Sequence, residues 1–321
     1  MKSIFLWIMV LMMVISPAMA HADAQKLMIV ATTFPQYDWT RQILGERMAD
    51  VQLVLLMDSG VDLHNYQPTV EDMAKLMACD LFIYVGGESD GWVDGALQAI
   101  GRENMPAVNL VKALGEGAVP EQIVPGMEHE EDEHEDEDEH EHEHEIDEHV
   151  WLSLRHAHVL CGAIAETLGE VDAQNAALYA QNARDYGAKL DALDEEFTQA
   201  VTEAPKDALL FADRFAFRYL MDDYGLSYYA AFSGCSAETE ASFETIIFLA
   251  EKVRELSLDC VMTTEGSDGA LARTVSDSAG GGKKIIKINS MQSTTASDVA
   301  SGASYLNIMR ENLTALREAL A

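Results

Sequence analysis

Short apolar runs and longer amphipathic stretches alternate along this chain. Residues 26–31, 51–56 and 81–85 are runs of five or six mostly apolar positions, and they predict strands buried on both faces. Between them, Thr32-Thr33-Phe34-Pro35 turns the chain into a helix over 37–44, and residues 60–66 form a loop. Pro68-Thr69-Val70 opens another helix with Thr69 as its N-cap. The pattern returns in the second half. Residues 208–211, 227–230, 260–263 and 284–288 predict strands, and 215–224, 242–255 and 305–320 predict helices. Strands that alternate with helices, each an apolar run, give parallel sheets covered on both sides.

One long helix divides the two halves. Ala176, Tyr179, Ala183, Tyr186, Leu190, Leu193 and Phe197 recur at steps of three and four, which makes a single apolar stripe over 172–202. At about 1.5 Å per residue it spans roughly 45 Å, enough to bridge two lobes. Asp172 is placed to cap it. The fold class is therefore α/β: two lobes, each a mostly parallel sheet flanked by helices, joined by one long helix. The predicted bounds are 26–170 for the first lobe, 171–203 for the linking helix and 204–321 for the second lobe. A cleft between such lobes lies outside the carboxyl ends of strands, where ligands bind.

The first 20 residues stand apart. Met1-Lys2, an apolar run from Ile4 to Ile15, and Ser16-Pro17-Ala18-Met19-Ala20 follow the order of a secretory signal peptide. The run is short for a bilayer span of about 20 residues. An exported, periplasmic chain is expected, with residues 1–20 removed.

Charge adds the chemistry. Residues 128–149 read EHEEDEHEDEDEHEHEHEIDEH and hold six of the ten histidines and 15 carboxylates, without Lys or Arg. Such a segment repels itself and cannot build a core. Acidic residues alone would serve solubility. Interleaved imidazoles add nitrogen ligands for zinc, copper or nickel, so the loop over 128–148 reads as a metal collector. A polyvalent loop gathers cations without fixing their geometry, so a defined site has to lie elsewhere. The formal net charge of −34 leaves the chain acidic even without that run, which argues against nucleic acid and anionic membranes as partners. The four cysteines lack CxxC spacing, which argues against a cysteine zinc knuckle. They read as buried thiols or as one bridge, Cys235–Cys260.

Two histidines occupy element ends that face the expected cleft. His64 sits in Gly60-Val61-Asp62-Leu63-His64-Asn65-Tyr66, after a strand and before a helix. His149 sits where the acidic run gives way to Val150-Trp151-Leu152. Both are candidate metal ligands, whereas His156 and His158 lie inside a helical pattern. Glu265, just after the 260–263 strand, is a candidate carboxylate at the cleft. Glu238 and Glu240 are weaker ones.

These segments resemble the zinc/manganese class of solute-binding proteins of ABC transporters, which includes the periplasmic zinc-uptake binding proteins. Residues 32–38 resemble that family's opening strand-to-helix turn. Residues 60–69 resemble its first ligand loop, with His64 at the ligand position, and 147–151 its second, with His149. Ala216-Phe217-Arg218-Tyr219 with Tyr224-Gly225-Leu226 resembles the segment after its third ligand. The third ligand position falls on Arg214, which stays protonated and cannot ligate a cation. The neighbouring Asp213 is the candidate replacement. A further carboxylate from a late loop has its nearest match at Asn289 or Ser290. The resemblance implies a monomeric, non-enzymatic protein that captures Zn2+, with Mn2+ as the alternative metal, and delivers it to an ABC transporter permease. A zinc-dependent hydrolase and a passive metal buffer are the competing readings, although no HExxH helix is present.

Imidazole binds metal only when neutral, and nearby carboxylates favour its protonated form. Loop histidines should therefore release zinc at higher pH than a buried site does. Zinc stoichiometry against pH, for the full chain and for a 128–146 deletion, should show the loop sites emptying first. Release from the deletion variant at the pH of the loop sites would refute two tiers of binding.

Overall fold

The computed structural model describes residues 26–128, 145–234 and 240–321. Two parallel four-stranded sheets form its lobes. In the first, β1 (Leu27–Ala31), β2 (Val51–Leu55), β3 (Leu81–Tyr84) and β4 (Ala107–Asn109) lie in the order β2-β1-β3-β4. In the second, β5 (Ala208–Arg214), β6 (Ser227–Phe232), β7 (Cys260–Thr264) and β8 (Lys284–Ile288) lie in the order β6-β5-β7-β8. Both orders reverse beside the first strand of their sheet. That reversal opens a crevice at the carboxyl edge, where connecting loops diverge to opposite faces.

Helices cover the sheets as the apolar stripes require. The first lobe carries α1 (Phe34–Leu44), α2 (Val70–Ala78), α3 (Trp92–Ala99), α4 (Leu110–Leu114) and α5 (Leu154–Val171). Thr69 closes a capping box with Asp72, and at Thr33 the Gln36 side chain accepts the N-cap N–H at 3.0 Å. The helix expected from 37 thus starts at Phe34, because Pro35 suits a first turn and lacks only an N–H that would be unpaired there. The long helix α6 runs Ala176–Glu203, four residues later than the stripe alone predicts. Asp172 does not cap it. It ends α5 instead, and its Oδ2 accepts hydrogen bonds from the Tyr179 hydroxyl and the Asn175 amide, each at 2.7 Å. The second lobe adds α7 (Arg218–Tyr224), α8 (Phe243–Glu255), α9 (Ala270–Ser278), α10 (Ala296–Ala300) and α11 (Tyr305–Ala319).

α6 packs along α5, α1, α11 and α7, so it touches helices of both lobes. Its stripe residues Tyr179, Tyr186, Leu190, Leu193 and Phe197 are buried in a core that runs from the first sheet to one face of the second. A smaller core fills the other face of the second sheet, beneath α8 and α9. Polar ties reinforce the junction. Trp151 Nε1–H donates to the Ser290 carbonyl at 2.8 Å, and the Tyr305 hydroxyl to the Trp151 carbonyl at 2.6 Å. Asp38 accepts the Tyr305 N–H at 2.8 Å while pairing with Arg41 at 2.5 Å.

The ends flanking the acidic run belong to the fold. Glu128 N–H donates to the Ala231 carbonyl, and its carboxylate accepts from Ser242 N–H. On the far side, Glu121 N–H donates to Glu145 and Asp147 N–H to Val119. A deletion that spares these ties is 129–144. Cys260 is a free, buried thiol at the amino edge of β7, where it donates to the Ala319 carbonyl. Its expected partner Cys235, like Glu238, lies outside the described residues.

Asp38 tests the junction. It is fully buried and serves both an arginine and a backbone N–H. Asp38→Ala should cost about 3 kcal/mol, since it strands the Tyr305 N–H and leaves Arg41 only the Ala303 carbonyl. Asp38→Asn should recover part of that through its amide oxygen. Urea unfolding checks both, and a loss below about 0.5 kcal/mol for the alanine variant would contradict the role given to Asp38.

Candidate metal centre

His64 and His149 come from separate loops and meet in the cleft. β2 ends at Leu55, and the chain returns through a short turn, Leu63–Asn65, in which Leu63 is buried. Asp62 fixes that turn, because its Oδ1 accepts the His64 N–H at 3.1 Å. His149 precedes the turn Val150–Leu152, whose three apolar side chains are all buried. Asp147 fixes this one in the same way, accepting the His149 N–H at 2.9 Å. Each imidazole is thus placed by an Asp two residues upstream.

The two rings face each other edge to edge. Their Nε2 atoms lie 3.3 Å apart, with ring planes inclined at 56°. Each Nδ1 is engaged on the far side: His149 Nδ1 with Asp147 Oδ1 at 2.9 Å, and His64 Nδ1 with Ser89 Oγ at 2.7 Å. A proton on each Nδ1 leaves both Nε2 lone pairs facing one point. Zn–N bonds of about 2.0–2.1 Å at a tetrahedral angle put two nitrogens about 3.3 Å apart, so the pair has the edge length of a zinc tetrahedron.

The second lobe closes the site. Gln292, in the loop after β8, brings its side-chain amide nitrogen to 2.9 Å from His149 Nε2 and 3.3 Å from His64 Nε2. With both Nδ1 atoms protonated, this one amide nitrogen faces both lone pairs. Behind His149 lies Gly234, where an added Cβ would stand 2.8 Å from the ring Cε1, so only glycine leaves room for the imidazole.

Burial, followed by the proximity of His149, pushes His64 down to about 4. Burial opposes charge on His149 as well, but the Asp147 carboxylate outweighs it and raises that group above the ordinary histidine value. Burial was expected to keep both imidazoles neutral. It does so for His64, whereas on His149 the carboxylate wins. A proton entering the pair therefore goes to His149. Burial also raises Glu148, against hydrogen bonds from Ser89.

The remaining candidates are placed elsewhere. Asp213 does not join the imidazoles. Its Oδ2 accepts from Thr264 N–H and from the Thr263 and Thr264 hydroxyls at 2.7–3.0 Å, and these bonds lower its pKa against burial. Its Oδ1 accepts the Arg214 N–H at 2.9 Å. Glu265 likewise accepts from Ser290 N–H at 2.8 Å, Ser290 Oγ at 2.9 Å and Ser293 Oγ at 3.3 Å. It shapes the loop that carries Gln292. Arg214 reaches across the cleft to Asp62 at 2.6 Å and so braces the His64 turn. Among the described residues, no three His, Cys, Asp or Glu side chains gather as a metal cluster. His158 pairs with Asp191 at 2.6 Å, and His156 packs edge-on against Tyr219, both away from the cleft. Gln292 was missed in the sequence because a neutral amide is no obvious ligand. The signal that could have found it is its place in the loop following β8, two residues past Ser290.

The family described as the periplasmic component A of zinc-uptake complexes (ZnuA) matches residues 29–319. The zinc-binding lipoprotein AdcA of Streptococcus pneumoniae is 33% identical over 293 residues, covering 91% of this chain and 56% of that protein. The high-affinity zinc uptake system protein ZnuA of Bacillus subtilis is 31% identical over 301 residues, covering 94% and 90%. Among solved structures, the Zn(II)-bound ZnuA-like domain of the pneumococcal AdcA superposes with a TM-score of 0.71 at 28% identity, over 92% of this chain and 99% of that domain. The chain thus spans a little over half the length of its AdcA relatives and most of the Bacillus protein.

Proposed function

This chain belongs to the family of periplasmic A components of zinc-uptake complexes, and from that premise we propose that it captures Zn2+ between its lobes and delivers it to an inner-membrane ABC importer. The 3.3 Å spacing of two Nε2 atoms, each with its Nδ1 engaged on the far side, carries the reading. His64 and His149 supply two nitrogen ligands. Turning the Gln292 amide by half a turn would exchange its N–H bonds for Oε1, an oxygen ligand, and water completes four-coordination. Two imidazoles favour zinc over manganese, whose preference is for oxygen. The sequence motive for the acidic run stands beside this: it raises metal supply at the mouth of the site. Residues 1–20 act as the export signal, and lobes 26–170 and 204–321 are joined by the helix at 171–203.

Carrier is favoured over hydrolase by the third group. A hydrolytic zinc site needs a base beside its bound water. Here the group that reaches both imidazoles is an amide, which cannot take a proton, and the nearby carboxylates Asp213 and Glu265 are engaged by hydroxyl and N–H donors.

In titration calorimetry on the 129–144 deletion, His64→Ala and His149→Ala should each abolish the tight zinc event. In the full chain the weak multi-site binding should survive both. Zinc at one hundred times Kd should stabilise the deletion protein by about 2.7 kcal/mol, a rise in melting temperature of roughly 5 °C. Tight binding retained in both variants would refute the assignment of ligands.

The pH dependence follows from the pair's shifts. Zinc must displace the proton that His149 holds below its raised pKa, so affinity falls with acidification from that point down. His64 stays neutral until about 4 and adds a second proton only there. Log Kd against pH should therefore show a slope of about one through mildly acidic pH, steepening toward two near pH 4. A slope of two across the whole range would mean that both imidazoles titrate together.

A further inference from the structure

The two imidazoles are backed unequally. His149 Nδ1 meets a carboxylate directly, whereas His64 Nδ1 meets the neutral hydroxyl of Ser89. Behind Ser89 lies Glu148. Its Oε1 accepts the Ser89 N–H at 2.7 Å, while Oε2 stands 3.9 Å from His64 Nδ1. Glu148 is 1% exposed, and Oε2 has no hydrogen-bond partner among the described residues. A buried carboxylate oxygen left open is costly and calls for an explanation.

The surroundings are shaped to admit it. Gly87 has φ +80°, and a Cβ there would stand 2.4 Å from Glu148 Oε1. The carboxylate occupies the space a side chain at 87 would need. Charge gives the reason. Zinc on two neutral imidazoles brings two positive charges into the cleft. Asp62 is matched by Arg214, Asp213 by its hydroxyl and N–H donors, and Asp147 lies behind His149. With Asp62 drawn to Arg214, Glu148 is the carboxylate that stands against His64 Nδ1. Once Ser89 Oγ accepts the His64 Nδ1–H, its own hydroxyl proton is free to turn toward Glu148.

We propose that Glu148 is the positioning carboxylate of His64, acting through Ser89, so that Asp147-Glu148-His149 supplies one imidazole and the carboxylate behind each of the two. The assignment rests on the reading of His64 and His149 as zinc ligands. Such supporting carboxylates fix the tautomer and raise ligand basicity, and losing one costs about 10–100-fold in metal affinity.

The test uses the full chain with zinc as the probe, by competition against a chelating dye. Glu148→Gln keeps the shape and removes the charge. It should weaken tight binding about 10–100-fold, without lowering the melting temperature of the metal-free protein. Ser89→Ala should weaken it as well. In the zinc-loaded protein with 15N-labelled histidine, Glu148→Gln should move the His64 Nδ1 resonance further than that of His149, which the same carboxylate feels only through space. Affinity equal to wild type, equal movement of both resonances, or a weakening matched by lost metal-free stability would each overturn the assignment. If His64→Ala abolishes tight binding while Glu148→Gln does not weaken it, only this assignment fails. If His64→Ala leaves tight binding intact, the ligand reading itself fails and takes this one with it.

Discussion

The Nε2 atoms of two imidazoles lie 3.3 Å apart in a buried cleft, and with both unprotonated their lone pairs repel each other unless something positive lies between them. The rest of the centre is arranged around that constraint. Asp147 holds the Nδ1–H of His149 on the far side of its ring, and Ser89 engages Nδ1 of His64. Gln292 relieves the repulsion with two N–H bonds from one amide nitrogen. A dication at the same point would relieve it more strongly. The first lobe supplies the rings, the second the amide, and the common core along α6 sets their separation.

Most of this architecture could be read from the chain, because a strand buried on both faces writes itself as an unbroken apolar run. All seven predicted strands exist, within a few residues of the predicted bounds. β4 was not legible, since three residues with one buried side chain carry no period. The start of α6 was misread for a different reason. Asp172 is a good capping residue beside an apolar stripe, yet its carboxylate is taken by Tyr179 and Asn175, and the helix begins after them.

The centre was legible only where the chemistry was loud. His64 and His149 announced themselves as imidazoles at element ends. Asp213 and Glu265 looked equally suitable, because a sequence shows which residues can ligate but not which are already occupied by hydroxyls and N–H groups. Arg214 shows the converse. At a position where the family resemblance places a ligand, this chain carries a cation that ties the second lobe to Asp62, and so steadies His64 from across the cleft.

Gly87 carries these relations one step further. It touches neither imidazole, and its bare Cα is what lets the Glu148 carboxylate lie beside Ser89. In a screen for variants that fail to grow under zinc starvation, a side chain at position 87 would then score beside changes at His64 and His149, through the carboxylate it displaces and through its strained backbone. Glycines of this kind, counted as turn formers in a sequence, belong to the binding phenotype.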